Sequence, residues 1–570
     1  MEEFDKELAQ YGIFAKNTQK SIEKERISIF DNTIIKTIDF NILQVRGIKE
    51  LNVVNNEILE IYFAKENNIK IYFANCIFKN EIIAPGLFFN EKVCFINCIF
   101  QKNVLFSKSI FENFIKFSNS EFKKDANFYN IIFKAKCDSE FIENDFRAVK
   151  FNGNADFAEA TFYSKVSFLK STFDNKADFE KVKFLFETVN KHEKISINNF
   201  KQIAFNGEVS FLNAEFNSNI EFSLSKFKND LNFSDVFLND EEIIFYNIEF
   251  HKVQFGYIGL NTKTFKSFNK YIFIDCKFQD NLVFKSLNNK ELFFINTIFS
   301  GIINFDNIQL IKKPNFENCT FSNQFNIEHK YIEYKFDEIE KIQEYDKLLK
   351  CRDLFRKLKS NRIAHHNLID ASELIVQEFY ARELELKYKE NKSLKEKVER
   401  WQLFFYRKLC DHHTDILQSL NSLVIIIGIF GILSFLMISG VNHYLGYKIS
   451  INHLYFSLEF YDDHIKSLIQ NHNLFIFFTN LLIIFAYLLL VILALCVKFI
   501  RKIFIVLSYL VIVCIMIISP KILIPAIGIF TDKRALLDPL SAIGGIYILL
   551  FAFVVYSFIK TIRKNSIMPN

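Results

Sequence analysis

Glycine, proline and tryptophan are scarce in this 570-residue chain, at 15, 6 and 1 residues. A collagen-like repeat, a Pro-rich extended chain and a generally disordered chain are therefore excluded. Ten cysteines are too few for a disulfide scaffold. An excess of one charge is missing too: 70 Lys and Arg face 65 Asp and Glu, and a balance of +5 does not argue for a nucleic-acid partner. There is no Gly-rich loop after a strand, no G-x-S-x-G and no H-E-x-x-H, so the chain reads as non-enzymatic and no cofactor is expected. The opening residues Met1 to Arg26 hold Glu2, Glu3, Asp5, Glu7, Glu23 and Glu25 and no uninterrupted apolar run. They read as a short amphipathic helical cap, residues 1–27, and carry no export signal, so the N-terminal half is expected to stay where it is made.

What is present in excess is phenylalanine, 70 residues of it. From about Phe95 to Phe325 these recur in steps that alternate five and six. The beat is kept by Phe106, Phe111, Phe117, Phe122, Phe128 and Phe133, by Phe157, Phe162, Phe168, Phe173, Phe179 and Phe184, and by Phe211, Phe216, Phe222, Phe227 and Phe233. Five plus six is also a helical hendecad. At about 100° per residue, however, a step of five turns a side chain by about 140°, so successive rings would face opposite sides of a helix. Asn127, Asn152, Asp156 and Asp178 between the rings favour turns over helix interiors. Short strands joined by tight turns, stacked as a β-solenoid over residues 28–330, satisfy both observations.

A second rule accompanies the first: two residues before many of these rings stands a small one, as at Ala155, Ala160, Ser171, Ala177, Ala214 and Ser225. Cys76, Cys98, Cys276 and Cys319 share that register, before Phe78, Phe100, Phe278 and Phe321. A zinc site built on Cys94 and Cys98 would need two further ligands, whereas a buried filler needs only to be small. Filler is the reading adopted, and no metal is assigned.

On these residues, about 70 to 325, the chain resembles the pentapeptide-repeat family in its Phe-centred variant. The resemblance implies a right-handed quadrilateral β-helix with the ring and the small residue inside. The family's strict step is five and its central residue is often Leu, so the sixth residue here implies a wider or bulged coil. Four rings per turn give about 22 residues per coil and roughly a dozen coils. Residues Ile29 to Phe73 read as an Ile-rich, degenerate start. The beat falters at Glu187 to Phe200, Tyr257 to Phe268 and Asn288 to Lys290, which read as bulging loops. Some family members inhibit DNA enzymes through an acidic, DNA-shaped face. Here exposed positions mix signs, as at Lys123, Lys124, Asp125 and Lys134, so that role ranks third among the functions considered.

After Phe325 the composition turns to Lys, Arg, Glu and Leu, predicting a connector of two or three helices over residues 331–415. Cys351 to Lys389 resembles the helical hairpin that joins such repeats to membrane segments, notably at Ala371, Glu378, Phe379, Tyr380, Arg382 and Glu383. His365 with His366 and His412 with His413 are sequence neighbours, about 100° apart on a helix, and are expected to be solvated or hydrogen-bonded, not joint metal ligands.

Residues 416–570 hold four apolar stretches near the length needed to cross a bilayer, 420–441, 474–497, 503–524 and 540–559. The third ends at Ser519, Pro520 and Lys521, where Lys521 must snorkel to an interface or line a protein-filled cavity. Basic residues cluster before the first (Arg400, Arg407, Lys408), between the second and third (Lys498, Arg501, Lys502) and after the fourth (Lys560, Arg563, Lys564). That bias predicts both termini and the whole repeat region on the cytoplasmic side, and the membrane expected is a bacterial inner one. Between the first two spans, Leu454 to His464 is placed like a pore helix, but Glu459 to Asp463 stand where a cation filter needs Gly. The same loop carries His443, His453, His464 and His472 beside Asp462 and Asp463, a set that could bind a divalent transition metal but whose spacing matches no known site closely, so scattered polar loop residues are the plainer account. The function expected is a membrane-anchored, non-catalytic scaffold whose solenoid binds an unidentified protein, with the bilayer as its other partner and self-association open. A channel or transport component regulated by the solenoid is the alternative.

Overall fold

The computed structural model describes residues 4–16, 19–30, 33–135, 143–185, 198–217, 220–238, 242–256, 270–286, 291–306, 308, 310, 312–447, 459, 461–518 and 537–565. The three loops expected from the faltering beat lie almost wholly outside these residues, as do His453, Lys521 and most of the pore-like segment. The chain divides into two compact units, Met1–Glu333 with Ser360–His366 and Tyr334–Lys359 with Asn367–Asn570.

The first unit is a β-solenoid of about 11 turns over residues 26–321. A typical turn has four short strands, such as Ile99–Phe100, Val104–Leu105, Ile110–Phe111 and Ile115–Lys116. Each strand pairs in parallel with the equivalent one about 22 residues on, so Phe100 lies beside Phe122 and Phe111 beside Phe133. The Ile-rich start stacks in the same ladder, with Arg26–Phe30 beside Glu50–Val54 and that beside Lys70–Ala74.

Every ladder Phe named above is buried, none more than 2% exposed. Equivalent rings of successive turns lie almost parallel. Phe157 stacks on Phe179 at 5.2 Å and 4°, Phe89 on Phe111 at 4.5 Å and 4°, and Phe273 on Phe294 at 5.1 Å and 9°. Rings of adjacent columns meet edge to face, as do Phe146 and Phe157 at 5.5 Å and 86°. Both are arrangements that the ring quadrupole favours.

The alternation of five and six has a backbone cause. Each five-residue step is a tight turn with a left-handed residue two places after the ring, such as Lys108 (φ 59°), Asn119 (φ 58°) and Asn130 (φ 51°). The turn closes with an N–H three residues after the ring donating to the ring's own carbonyl, as Ser120 does to Phe117 at 3.1 Å. The small residue of the sequence rule often sits at that closing position, and smallness is only half of its role. Ser120 Oγ donates to Phe95 O of the preceding turn at 3.0 Å and accepts from Cys98 N at 2.9 Å. Cys276 and Cys319 do the same work with Sγ, donating to Phe245 O and Phe294 O at 3.3 Å. These rungs satisfy backbone groups that burial would otherwise strand. Burial pushes the Cys276 thiol up to about 12, in keeping with an inert filler.

Both ends of the stack are closed. The opening segment departs from the expected helix: among its described residues only Lys6–Ala9 (α1) is helical, and Ile13–Ala15, Gln19–Glu23 and Arg26–Phe30 are strands. Gln19–Glu23 pairs antiparallel with Arg26–Phe30, the first rung, so edge pairing outweighs helix propensity there. A second short helix, Phe40–Val45 (α2), comes next. At the other end Asn361 donates to Ser322 O and Phe325 O at 2.8 and 3.0 Å, and Arg362 donates to Asn326 and to Ile327 O, taking carbonyls that no further turn can pair. Outside, opposite charges bridge neighbouring turns, as in Lys134–Glu112 at 2.7 Å and Lys252–Asp230 at 2.6 Å.

The second unit is helical. Phe336–Glu340 (α3), Tyr345–Ala364 (α4), Leu368–Tyr388 (α5) and Leu394–Cys410 (α6) precede Ile416–Tyr444 (α7), Lys466–Asn471 (α8), Asn473–Cys496 (α9), Lys498–Ile518 (α10) and Pro539–Asn565 (α11). Four of these, α7, α9, α10 and α11, are long and apolar enough to cross a bilayer.

Candidate functional site

The rings fill the solenoid, so chemistry is sought on its outside and in the helical unit. The four long helices bury an apolar core that includes Ile425, Ile429, Tyr487 and Ile543, yet they also leave large apolar groups bare. Ser419, Ser422, Ser434, Ser508, Asn442 and Asn480 are buried, while Phe475, Leu482, Val506 and Ile517 are 69 to 79% exposed. Bare apolar surface on four helices long enough to cross a bilayer suits membrane association, and the buried serines stand where helices approach closely. α7 is central: Phe430 stacks on Tyr547 of α11 at 4.1 Å, and Tyr487 Oη of α9 donates to Ile426 O at 3.2 Å. Gly428 lets α10 approach, since a Cβ there would lie 2.3 Å from Ser508 Cβ.

The hairpin residues singled out in the sequence all hold helices together. Ala371 is buried. Glu378 accepts from Lys359 at 2.6 Å and Phe379 packs against the His412 ring at 5.3 Å. Arg382 grips Glu399 of α6 through two bonds of 2.9 and 3.0 Å, and Glu383 takes Arg407 through two of 2.8 Å. Tyr380 Oη donates to Asp411 at 2.7 Å. Burial, and then the Asp411 charge, raises the Tyr380 phenol well above its ordinary value.

The junction between α6 and α7 holds what composition did not reveal. Asp411, His412 and His413 are three successive left-handed residues, at φ 48°, 55° and 68°. Side-chain residues adopt this region singly at a cost of about 1–2 kcal/mol each, so a run of three must be held by its surroundings. His412 is only 5% exposed, between the Phe379 and Tyr380 rings, which excludes the solvated role. His413 Nδ1 lies 3.3 Å from Ser557 O and 3.4 Å from Cys410 Sγ. By contrast His365 and His366 are exposed.

Between α7 and α9, one turn of π-helix, Tyr461–Ile465, leads into α8 and buries Tyr461, Ile465 and Ile469 in the bundle core. His464 Nε2 lies 2.8 Å from Tyr447 Oη, and Asp462 accepts from Lys466 at 3.1 Å. Among the described residues no three His, Cys, Asp or Glu side chains, those of His443, His464 and His472 included, are grouped so as to hold a metal. Compared with family models, curated proteins and solved structures, the chain finds no match in any of the three.

Proposed function

We propose that this chain is a non-catalytic scaffold of the pentapeptide-repeat type, anchored in a bacterial inner membrane with its solenoid and both termini on the cytoplasmic side. The observation that carries the reading is the filled interior. Stacked rings occupy the inside of the turns, and the outward positions form regular rungs of Lys, Glu, Asp and Asn such as Asn55, Asn75 and Asn97, linked at 2.9 and 3.1 Å. A rigid, repeating exterior of this kind suits a protein partner that reads several turns at once. The three basic sets around the spans support the orientation. Crosslinking in intact membranes followed by mass spectrometry tests the reading. Crosslinks from exposed lysines such as Lys123, Lys134 and Lys252 to one recurrent protein are expected. Crosslinks confined to the chain itself, together with ion flux in proteoliposomes, would overturn it in favour of a transport role.

A further inference from the structure

The helix α6 carries an apolar stripe that the protein covers at one end only. At about 100° per residue Leu394, Val398, Trp401, Phe405 and Leu409 fall within an arc of about 80°. At the carboxyl end this stripe belongs to the membrane bundle: Leu409 is fully buried among its core residues, and the Phe405 ring lies 5.9 Å from Phe553 of α11. Toward the amino end the same stripe is bare, with Leu394 80%, Val398 60% and Trp401 68% exposed. The opposite face is engaged, since Glu396 accepts from Lys389, Glu399 from Arg382, and Arg407 donates to Glu383. The stripe is therefore not a surface awaiting α5.

The level of α6 is fixed by its last carbonyls, which a helix end leaves unpaired. Gln418 Nε2 of α7 donates to Arg407 O and Lys408 O at 2.7 and 3.0 Å, Ser422 Oγ donates to Leu409 O at 2.8 Å, and Arg501 of α10 donates to Lys408 O at 2.8 Å. Gln418 and Ser422 lie in the first two turns of α7, whose 29 residues span about 43 Å at 1.5 Å each. That exceeds the roughly 30 Å hydrocarbon core, so the ends of α7, and with them the end of α6, stand at headgroup depth. Lys397, Arg400 and Lys408 flank one side of the stripe and Lys395 the other, where phosphates would lie.

We infer that α6 is an interfacial helix whose Leu394–Val398–Trp401 face lies on the phospholipid bilayer at the boundary of headgroups and acyl chains, a continuation of the bundle's own lipid contact. The inference rests on reading α7, α9, α10 and α11 as membrane spans. Such helices sink about 5–10 Å into that boundary. The occupant is lipid because the covered half of the stripe already ends in the bundle that lipid surrounds.

Trp401 is the chain's single tryptophan and reports on its own position. The full chain is reconstituted in vesicles of equal parts phosphatidylcholine and phosphatidylglycerol, with or without bromine near the top of the acyl chains. Brominated lipid is expected to remove most of the Trp401 emission, and aqueous iodide to leave it unchanged. The double variant L394S/V398S should reverse both, weakening the lipid quenching and admitting iodide. Quenching by iodide but not by brominated lipid overturns the inference, as does shielding from both, which would mean that protein covers the face. Lipid quenching that the double variant leaves intact overturns it as well. Flotation of the vesicles after an alkaline carbonate wash separates the two readings. A chain that floats with an iodide-accessible Trp401 refutes the interfacial helix alone, and one that does not float refutes the spans.

Discussion

Removing one ring from the middle of the solenoid should unfasten its neighbours and little else. Phe157 is fully buried and lies between Phe128 at 4.8 Å and Phe179 at 5.2 Å in its own column. It also meets Phe146 and Phe168 edge to face, each at 5.5 Å. Phe157→Ala leaves a cavity walled by rings that are themselves stacked and cannot collapse inward, so the cost belongs at about 3–5 kcal/mol. At about 1.4 kcal/mol per tenfold, local opening rises roughly 10²- to 10⁴-fold. Phe321 gives the contrast, because it is half-buried beside the last turn and Phe321→Ala should cost about 2 kcal/mol or less. Hydrogen exchange read by mass spectrometry on the full chain in detergent distinguishes the positions. The expected result is lost protection in the turns holding Phe128, Phe157 and Phe179, with turns beyond Phe245 protected as before, since stability in a stack is a sum of nearest-neighbour terms. Protection lost evenly from Phe73 to Phe316 would refute that reasoning, and a loss below about tenfold would refute the packing argument.

The hydrogen-bonded rungs make a second test: Ser120→Ala strands Cys98 N and should cost about 1–3 kcal/mol in thermal unfolding, while Ser120→Cys should recover part of the loss, as Cys serves in the same role elsewhere. In the bundle, Gly428→Ala places a Cβ against Ser508 and should cost about 1–3 kcal/mol, read as a lower melting temperature in detergent. Gly440→Ala, where a Cβ meets nothing within 4 Å, serves as its control. For pH, Lys389 and the Ser393 cap of α6 hold the Glu396 carboxyl down at about 2, against an unperturbed 4.5. A carboxylate lowered in the folded state stabilises above its unfolded value and loses that contribution as pH falls toward the folded one. The difference between the native chain and Glu396→Gln should therefore be constant from pH 8 to about 5 and vanish between about 4.5 and 2; a difference that instead vanishes near neutrality would sink the assignment.

How much of this is legible in the sequence depends on what encodes it. The ring beat is plain because a buried benzyl group is large and its spacing is fixed by the turn, so Phe106 to Phe233 can be picked out unaided. The corners are not, because the left-handed positions are filled by Asn, Lys, Glu and even Leu224 instead of Gly. Small residues such as Ser171 are visible as small, but their bonds to the preceding turn depend on a neighbour 25 positions away, which no local pattern carries. The opening segment reads wrongly as a helix because its charges alternate as well for an edge hairpin as for a helix. For His412 the sequence leaves a solvated and a hydrogen-bonded role open, and burial excludes the first; the choice is not legible because a left-handed run after Cys410, held by Tyr380, has no compositional signature. The stripe on α6 is present in the spacing of Leu394, Val398 and Trp401 but submerged among seven Lys, Arg and Glu between Leu394 and Cys410. Nothing in the sequence distinguishes the junction after α6 from an ordinary connector.

Those corners also bear on how the molecule could be made tougher. Ala148, Lys170 and Leu224 hold φ between 54° and 62°, a region that costs a side-chain residue more than it costs glycine or asparagine. Replacing them with Asn, which already occupies the same corner at Asn75, Asn97 and Asn119, would relax the backbone without touching the ring column. The stack thus retains headroom for hardening at sites far from its interior, and many mild substitutions there should combine almost independently because the corners of distant turns share no contacts.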